Sequence, residues 1–126
     1  MTSLRHPLGR VRGLGSAKEG SGHWLHQRFS SIALVPLSIW LVYSLFGLDG
    51  SYADARTFAA QPMNAALLIA FALVTFHHTK AGVQVVIEDY IHTRWLEVTL
   101  QIANLFLNLL AALVSVFAVV RIALGA

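Results

Sequence analysis

The chain of 126 residues contains no cysteine and little charge, since only 12% of its residues are Asp, Glu, Lys or Arg. The absence of cysteine excludes disulfides, thiolate metal sites and covalent attachment of a c-type haem. The scarcity of charge, together with 56% hydrophobic residues and a mean hydropathy of +0.65, excludes an ordinary soluble domain. Composition therefore predicts an integral membrane protein.

Three apolar stretches are each long enough to cross a hydrocarbon core, which needs about 20 helical residues. They run from Phe29 to Leu48, from Met63 to Ile87 and from Val98 to Leu124. The first is too long for a signal peptide and lacks a small-residue cleavage pattern. We predict an all-α membrane protein with three transmembrane helices, and a short helix from Tyr52 to Ala60 in the first loop.

The positive charges predict how the chain is oriented in the membrane. Residues 1–22 are expected to form a basic cytoplasmic arm, rich in Gly, Ser and Arg, and residues 23–126 a three-helix anchor domain. Lys and Arg concentrate in this arm, and Arg94 lies in the second turn, against only Arg56 and Arg121 on the opposite side. The positive-inside rule then places the amino terminus in the cytoplasm and the carboxyl terminus in the periplasm of a bacterial inner membrane. Nothing supports nucleic acid as a partner of the arm, because no soluble domain or interleaved aromatic residues accompany it.

The segment from His78 to Tyr90 carries polar groups inside an otherwise apolar chain. At about 100° per residue, His78, Gly82 and Asp89 share one helix face. An ionisable group in a membrane helix costs about 2.5–3.5 kcal/mol on insertion scales, so it usually serves a pathway or a cofactor. His78 can offer an imidazole to haem iron, and Gly82 leaves room for the macrocycle. A hydrogen-bonded structural histidine explains His78 equally well, and His77 is a second candidate ligand.

Asp89 and Tyr90 lie at the end of the same segment. A phenol at the membrane interface can donate to a quinone carbonyl, and a neighbouring carboxylate can relay protons. The alternative is an interfacial Tyr beside a helix-ending acid. At 1.5 Å per residue, Asp89 lies about 17 Å along the helix from His78, which places the two functions at different membrane depths.

Three amides lie at helical spacing near the start of the third apolar stretch: Gln101, Asn104 and Asn108. Polar groups within membrane helices commonly form hydrogen bonds to neighbouring helices. We therefore predict interhelical hydrogen bonds rather than ligand binding for this stripe.

The pattern His-x3-Gly-x6-Asp-Tyr, on His78, Gly82, Asp89 and Tyr90, resembles the signature of the small cytochrome b membrane-anchor subunits of succinate dehydrogenase, respiratory complex II. The segment from His23 to Arg28, followed by Leu-Val-Pro-Leu at 34–37, resembles the alphaproteobacterial and mitochondrial version. The resemblance covers the chain from His23 to the end of the third apolar stretch. It implies a chain that has no succinate site of its own and forms part of a heterodimeric haem-binding bundle.

The resemblance also implies roles for particular residues. His78 would be one axial ligand of haem b, and a larger cytochrome b556-type anchor subunit would supply the other. Tyr90, with Asp89, would border the ubiquinone pocket beside the iron–sulfur subunit, which receives electrons from the flavoprotein subunit. Arg28 and Lys80 are further candidates for cofactor binding. Lys80 is not part of the family pattern, and it is proposed on its charge, as a cation beside a haem carboxylate.

Two other functions stay open at this point. The anchor of a fumarate reductase shares the architecture and runs the reaction in the opposite direction. A small proton-coupled multidrug exporter would use Glu88 or Asp89 as its coupling carboxylate, although such acids usually lie within a span rather than at its end. The sequence favours the anchor of a succinate:ubiquinone oxidoreductase.

Overall fold

The computed structural model of the chain describes residues 20–125. Its helices are α1 (Gly20–Phe46), α2 (Tyr52–Ala60), α3 (Pro62–Tyr90) and α4 (Arg94–Ala123). Within the described residues, α1, α3 and α4 are the three helices that are long and apolar enough to cross a membrane. The predicted fold class is confirmed, and α2 matches the short helix predicted in the first loop.

The long helices do not end where the apolar stretches end. α1 begins nine residues before Phe29, and α3 continues three residues past Ile87. Helical hydrogen bonds do not depend on hydropathy, whereas an apolar stretch marks only the part of a helix that suits hydrocarbon. At 1.5 Å per residue, the 29 residues of α3 extend about 44 Å. Since the hydrocarbon core is about 30 Å thick, polar turns of α3 project beyond it.

The predicted basic arm and the start of α1 overlap. Residues 1–19 of the arm lie outside the described residues, and residues 20–22 form the first turn of α1. Gly20 and Gly22, which belong to the glycine-rich arm that we predicted, are therefore helical. In a helix interior, glycine lowers the stability of the helix by about 1 kcal/mol relative to alanine. The N–H groups of a first turn have no partners within the helix, so glycine there weakens fewer hydrogen bonds.

α3 is the central helix and packs against both α1 and α4, while α2 crosses the ends of α3 and α4. The predicted amide stripe connects α4 to α3: Gln101 Nε2 donates to the carbonyl of Gln84 at 3.2 Å, and Asn104 Nδ2 donates to that of Lys80 at 2.9 Å. Asn108 instead donates to Asn104 within α4. The interhelical prediction is confirmed for two of the three amides. These pairings also show that α4 runs antiparallel to α3.

The interior of the described bundle is made mainly of small side chains. Its buried apolar residues are Ala65, Ala81, Ile87 and Ala112, all on α3 or α4. Small residues let membrane helices approach closely. Large apolar side chains, such as Phe29 on α1 and Phe106 on α4, point outward instead. An apolar surface of this extent requires lipid or another membrane subunit around it.

Short-range hydrogen bonds organise the connection between α1 and α2. The side chain of Ser51 caps α2 by accepting from the backbone N–H of Asp54 at 3.1 Å. Hydrogen bonds from Ser51 lower the pKa of the Asp49 carboxyl below its ordinary value. Gly50, between them, has a φ of 83°, a left-handed conformation that favours glycine. This connection lies at the end of the bundle remote from all sequence-predicted site residues.

Candidate functional site

His78 lies on the side of α3 that faces α1, where it is half-buried. Its Nδ1 is 2.9 Å from the hydroxyl oxygen of Ser30 on α1. Ser30 is only 7% exposed, and its hydroxyl also donates to the backbone carbonyl of Gln27 at 2.8 Å. In the described part of the chain, Nδ1 is the ring nitrogen that is hydrogen-bonded. The other nitrogen, Nε2, makes no hydrogen bond to the described residues.

Gly82 lies one turn beyond His78 and opposite Gln27. A Cβ atom built on Gly82 would lie 4.0 Å from Gln27 Nε2, an ordinary van der Waals distance to the end of a flexible side chain. Packing between α1 and α3 therefore does not by itself require glycine here. Gly82 adds no side chain to the face of α3 that carries His78. The pairs 30/78 and 27/82 run in opposite directions, so α1 and α3 are antiparallel.

His77 lies about 100° around α3 from His78 and is exposed. Its ring packs edge-to-face against that of His26 on α1, with ring centroids 6.2 Å apart and planes at 73°. His77 also borders a groove between α3 and α4 with Leu105 and Asn108. The two neighbouring histidines thus have different environments: His78 is held by a buried hydroxyl, whereas His77 is held by an aromatic contact.

Lys80 and Arg28 lie away from the contact between Ser30 and His78. Each is two residues from one of these partners, so helix geometry places it about 200° around its helix. Lys80 Nζ donates to Gln84 Oε1 at 3.2 Å on the side of α3 that faces α4. The Arg28 guanidinium lies 4.7 Å from the ring centroid of Trp24 within α1. The structure thus does not bring either cation beside His78, and their cofactor contacts stay predictions.

Asp89 and Tyr90 form the exposed end of α3. Tyr90 is 77% exposed, and Trp95 at the start of α4 is similarly exposed. Because α1 and α4 both run antiparallel to α3, this end also holds the first turns of α1 and α4. Asp89 and Tyr90 are therefore displaced from His78 along α3, toward the end of the bundle that adjoins the arm, as predicted.

Sequence reasoning missed Ser30. The available signal was a polar stripe on α1, because His23, Gln27 and Ser30 follow the spacing i, i+4, i+7 in an otherwise apolar helix. His23 Nε2 is enclosed and has no hydrogen-bond partner among residues 20–125. A polar side chain on a membrane helix needs a partner, and the partner of Ser30 became visible only when α1 and α3 were placed together.

Residues 20–125 contain no group of three or more His, Cys, Asp or Glu side chains arranged to hold a metal ion. The predicted metal site is of a different kind, because haem iron is held in its macrocycle and takes only axial ligands from protein. His78 offers one such ligand atom.

Known proteins are similar to nearly the whole of this chain. Residues 2–121 match the family described as succinate dehydrogenase/fumarate reductase transmembrane subunit. The chain is 40% identical over 120 residues to the succinate dehydrogenase hydrophobic membrane anchor subunit of Rickettsia bellii (strain RML369-C), covering 90% of this chain and 94% of that protein. It is 37% identical over 95 residues to the same subunit of Rickettsia conorii (strain ATCC VR-613 / Malish 7), covering 72% and 74%.

A similar relationship extends to the succinate dehydrogenase membrane anchor subunit of Reclinomonas americana, which is 32% identical over 79 residues, covering 60% of this chain and 66% of that protein. No solved structure matches the chain significantly. The family match spans nearly the whole sequence and includes α1, α3 and all but the last two residues of α4, which confirms the resemblance drawn from the His-x3-Gly-x6-Asp-Tyr pattern. The chain is thus a multi-pass membrane protein that belongs to the succinate dehydrogenase/fumarate reductase transmembrane subunit family.

Proposed function

We propose that this chain is the hydrophobic membrane anchor of a succinate:ubiquinone oxidoreductase, that it binds haem b jointly with a second anchor subunit, and that it borders the ubiquinone site. The observation that carries the proposal is the orientation of His78. Its Nδ1 is held by the buried hydroxyl of Ser30, and its Nε2 is left for a ligand. A metal-binding histidine is usually held in this way through its second nitrogen.

The residues around His78 fit a haem. Gly82 presents no side chain on the same face, and a Cβ there would enter space bordered only by the end of Gln27. When bound, the haem supplies a one-electron redox centre. His78 can fill one axial position through Nε2. In this proposal, the larger cytochrome b556-type anchor subunit would supply the second ligand to the iron, because one histidine provides only one ligand atom.

Tyr90 and Asp89 are suited to ubiquinone at the exposed end of α3. The exposed Tyr90 phenol can donate a hydrogen bond to a quinone carbonyl, and the adjacent Asp89 carboxylate can accept and release protons during quinone reduction. Trp95 offers an apolar surface at the same end. In this role the pocket is completed by the iron–sulfur subunit, which passes on electrons from the flavoprotein subunit.

The outward apolar surface supports assembly with a second membrane subunit. Succinate oxidation is assigned to the soluble subunits, and this chain holds them at the bilayer. The side of α1 and α3 that carries His78 is where the larger anchor subunit would pack, since a shared haem must contact both chains.

The arm controls the orientation in this proposal. Among the described residues, Arg28 and Arg94 lie at the end of the bundle that carries Tyr90, and Arg56 and Arg121 lie at the other end. These pairs balance, so the asymmetry comes from the four basic residues of the arm, which are Arg5, Arg10, Arg12 and Lys18. The positive-inside rule then puts the amino terminus and the quinone site on the cytoplasmic side and the carboxyl terminus in the periplasm.

Of the alternatives, the fumarate reductase anchor belongs to the same family, but the relatives compared above carry succinate dehydrogenase names, which favours succinate oxidation. Membership of this family leaves the multidrug exporter without support. The physiological direction can be tested by comparing succinate oxidation and fumarate reduction in the purified complex.

The proposal is tested by a reduced-minus-oxidised optical spectrum of the purified complex, followed by replacement of each histidine. The wild-type complex should show haem b bands. His78→Ala should remove the low-spin haem spectrum, and the matched change His77→Ala should preserve it. A complex that loses its haem with His77→Ala but keeps it with His78→Ala would refute the assignment, and a wild-type complex without haem bands would refute haem binding.

A further inference from the structure

In the described part of the chain, one hydrogen bond between side chains connects α1 to α3, and it joins Ser30 to His78. Ser30 and Asn104 are the buried polar residues of that part. Asn104 bonds to a backbone carbonyl and joins α4 to α3, so it has a packing role that needs no ligand. Ser30 instead contacts the one side chain that the proposed function assigns to haem iron.

The hydroxyl of Ser30 has a single hydrogen and two neighbours. One neighbour, the carbonyl oxygen of Gln27 at 2.8 Å, can only accept. Because the two oxygens lie only 2.8 Å apart, we assign the hydroxyl hydrogen to this contact. With that assignment, the oxygen of Ser30 accepts from His78, and Nδ1 of His78 carries the ring proton. In a neutral imidazole this leaves Nε2 unprotonated, with its lone pair directed away from Ser30.

We infer that Ser30 is a positioning residue for the haem ligand: it selects the Nδ1–H tautomer of His78 and fixes the ring angle at which Nε2 meets the iron. This inference rests on the proposed function, since it assumes that His78 is the ligand. Two properties of the site follow from it. The iron-binding nitrogen is prepared before haem arrives, and an imidazole whose Nδ1–H donates a hydrogen bond is a stronger electron donor to iron.

Ser31 provides a matched control. Its hydroxyl donates to the same carbonyl of Gln27, also at 2.8 Å, but it makes no hydrogen bond to His78. Ser30→Ala and Ser31→Ala therefore remove the same atom and the same bond to the α1 backbone. They differ in the contact with the imidazole and in burial, since Ser30 is buried and Ser31 is half-buried.

The experiment uses the whole complex purified from cells that express each variant. It measures haem per flavin, the midpoint potential of the haem, and the electron paramagnetic resonance spectrum of the ferric low-spin form, whose g anisotropy depends on ligand orientation. Ser30→Ala should weaken haem retention by about 10- to 100-fold, in the range found for partners of metal-ligating histidines. The remaining haem should have a raised midpoint potential and altered g values. Ser31→Ala should match the wild type, and Ser30→Thr, which retains the hydroxyl, should restore the wild-type potential.

Three outcomes would overturn the inference about Ser30 while leaving the proposed function intact. They are an unchanged potential and spectrum in Ser30→Ala, equal changes in Ser30→Ala and Ser31→Ala, and an altered potential in Ser30→Thr equal to that of Ser30→Ala. If Ser30→Ala fails to assemble, Ser30→Cys takes its place, because its thiol fills similar space but accepts hydrogen bonds weakly. An unchanged potential in that variant also overturns the inference. The His78→Ala complex tests the proposed function separately from the inference about Ser30, because a native haem spectrum in that variant would show that His78 is not the ligand.

Discussion

Gly82 allows the effects of a substitution on folding and on haem binding to be separated. We predict that Gly82→Ala leaves the bundle folded, or slightly more stable, and weakens haem binding. The new methyl group would meet only the end of the Gln27 side chain, at 4.0 Å, which is an ordinary contact. Replacing an interior helical glycine by alanine stabilises a helix by about 1 kcal/mol.

The expected loss of haem affinity follows from the space that the methyl group would take. If the macrocycle lies over Gly82, an added carbon overpacks that contact, at a typical cost of about 1–3 kcal/mol. At about 1.4 kcal/mol per factor of ten, haem binding should weaken by about 5- to 150-fold. Stability and haem content should thus change in opposite directions, which a general folding defect cannot produce.

Two measurements test this prediction. Thermal unfolding of the chain in detergent, followed by far-ultraviolet circular dichroism, reports stability, and the ratio of haem to flavin in the purified complex reports binding. Gly22→Ala is the matched control, because it adds the same methyl group to α1 at a position with no heavy atom within 4 Å. It should leave haem content unchanged. Full haem content in Gly82→Ala would refute contact between Gly82 and the macrocycle, and a loss of helicity would show that the glycine serves packing against α1.

The remaining predictions concern the quinone site, the orientation and the packing of α4. Tyr90→Phe removes one donor, a loss of about 1–3 kcal/mol if the quinone carbonyl stays unpaired, so quinone reduction should fall about 5- to 150-fold. Succinate oxidation with an artificial acceptor should stay normal, and unchanged quinone reduction would leave Tyr90 as an interfacial anchor. Replacing the four basic residues of the arm with glutamine should weaken the orientation preference, measured with reporter fusions at both termini; a reporter at the wild-type amino terminus that is active in the periplasm would contradict the orientation. Asn104→Leu removes the bond to the Lys80 carbonyl and the side-chain acceptor of Asn108, and it should destabilise the chain by about 0.6–1.7 kcal/mol, the average and the maximum for hydrogen bonds between membrane helices. Asn108→Leu should cost less because its bonds stay within α4, and equal losses would contradict an interhelical role.

Hydropathy and spacing along the chain were sufficient to predict the class of the protein and its main elements. Apolar runs of membrane length identified the three long helices, and the short helix at Tyr52–Ala60 was also predicted. These properties are local, because a helix satisfies its own backbone hydrogen bonds and its insertion depends on its own residues. The His-x3-Gly-x6-Asp-Tyr pattern is local too, and it was enough to identify the family that the comparisons confirm.

What the sequence could not determine is which side chains from different helices meet. Before the helices were placed together, His78 and His77 were both candidates, and Lys80 was considered beside the same cofactor. The packing of α1 against α3 places buried Ser30 on Nδ1 of His78, whereas His77 contacts His26 and Lys80 turns toward α4. Ser30 and His78 are separated by 48 positions in the chain, so their contact is a property of two helix faces and their register. Sequence thus determined which polar groups lie in the membrane. Tertiary structure decided which nitrogen of His78 is hydrogen-bonded to Ser30, because a hydrogen bond between helices depends on where both helices lie.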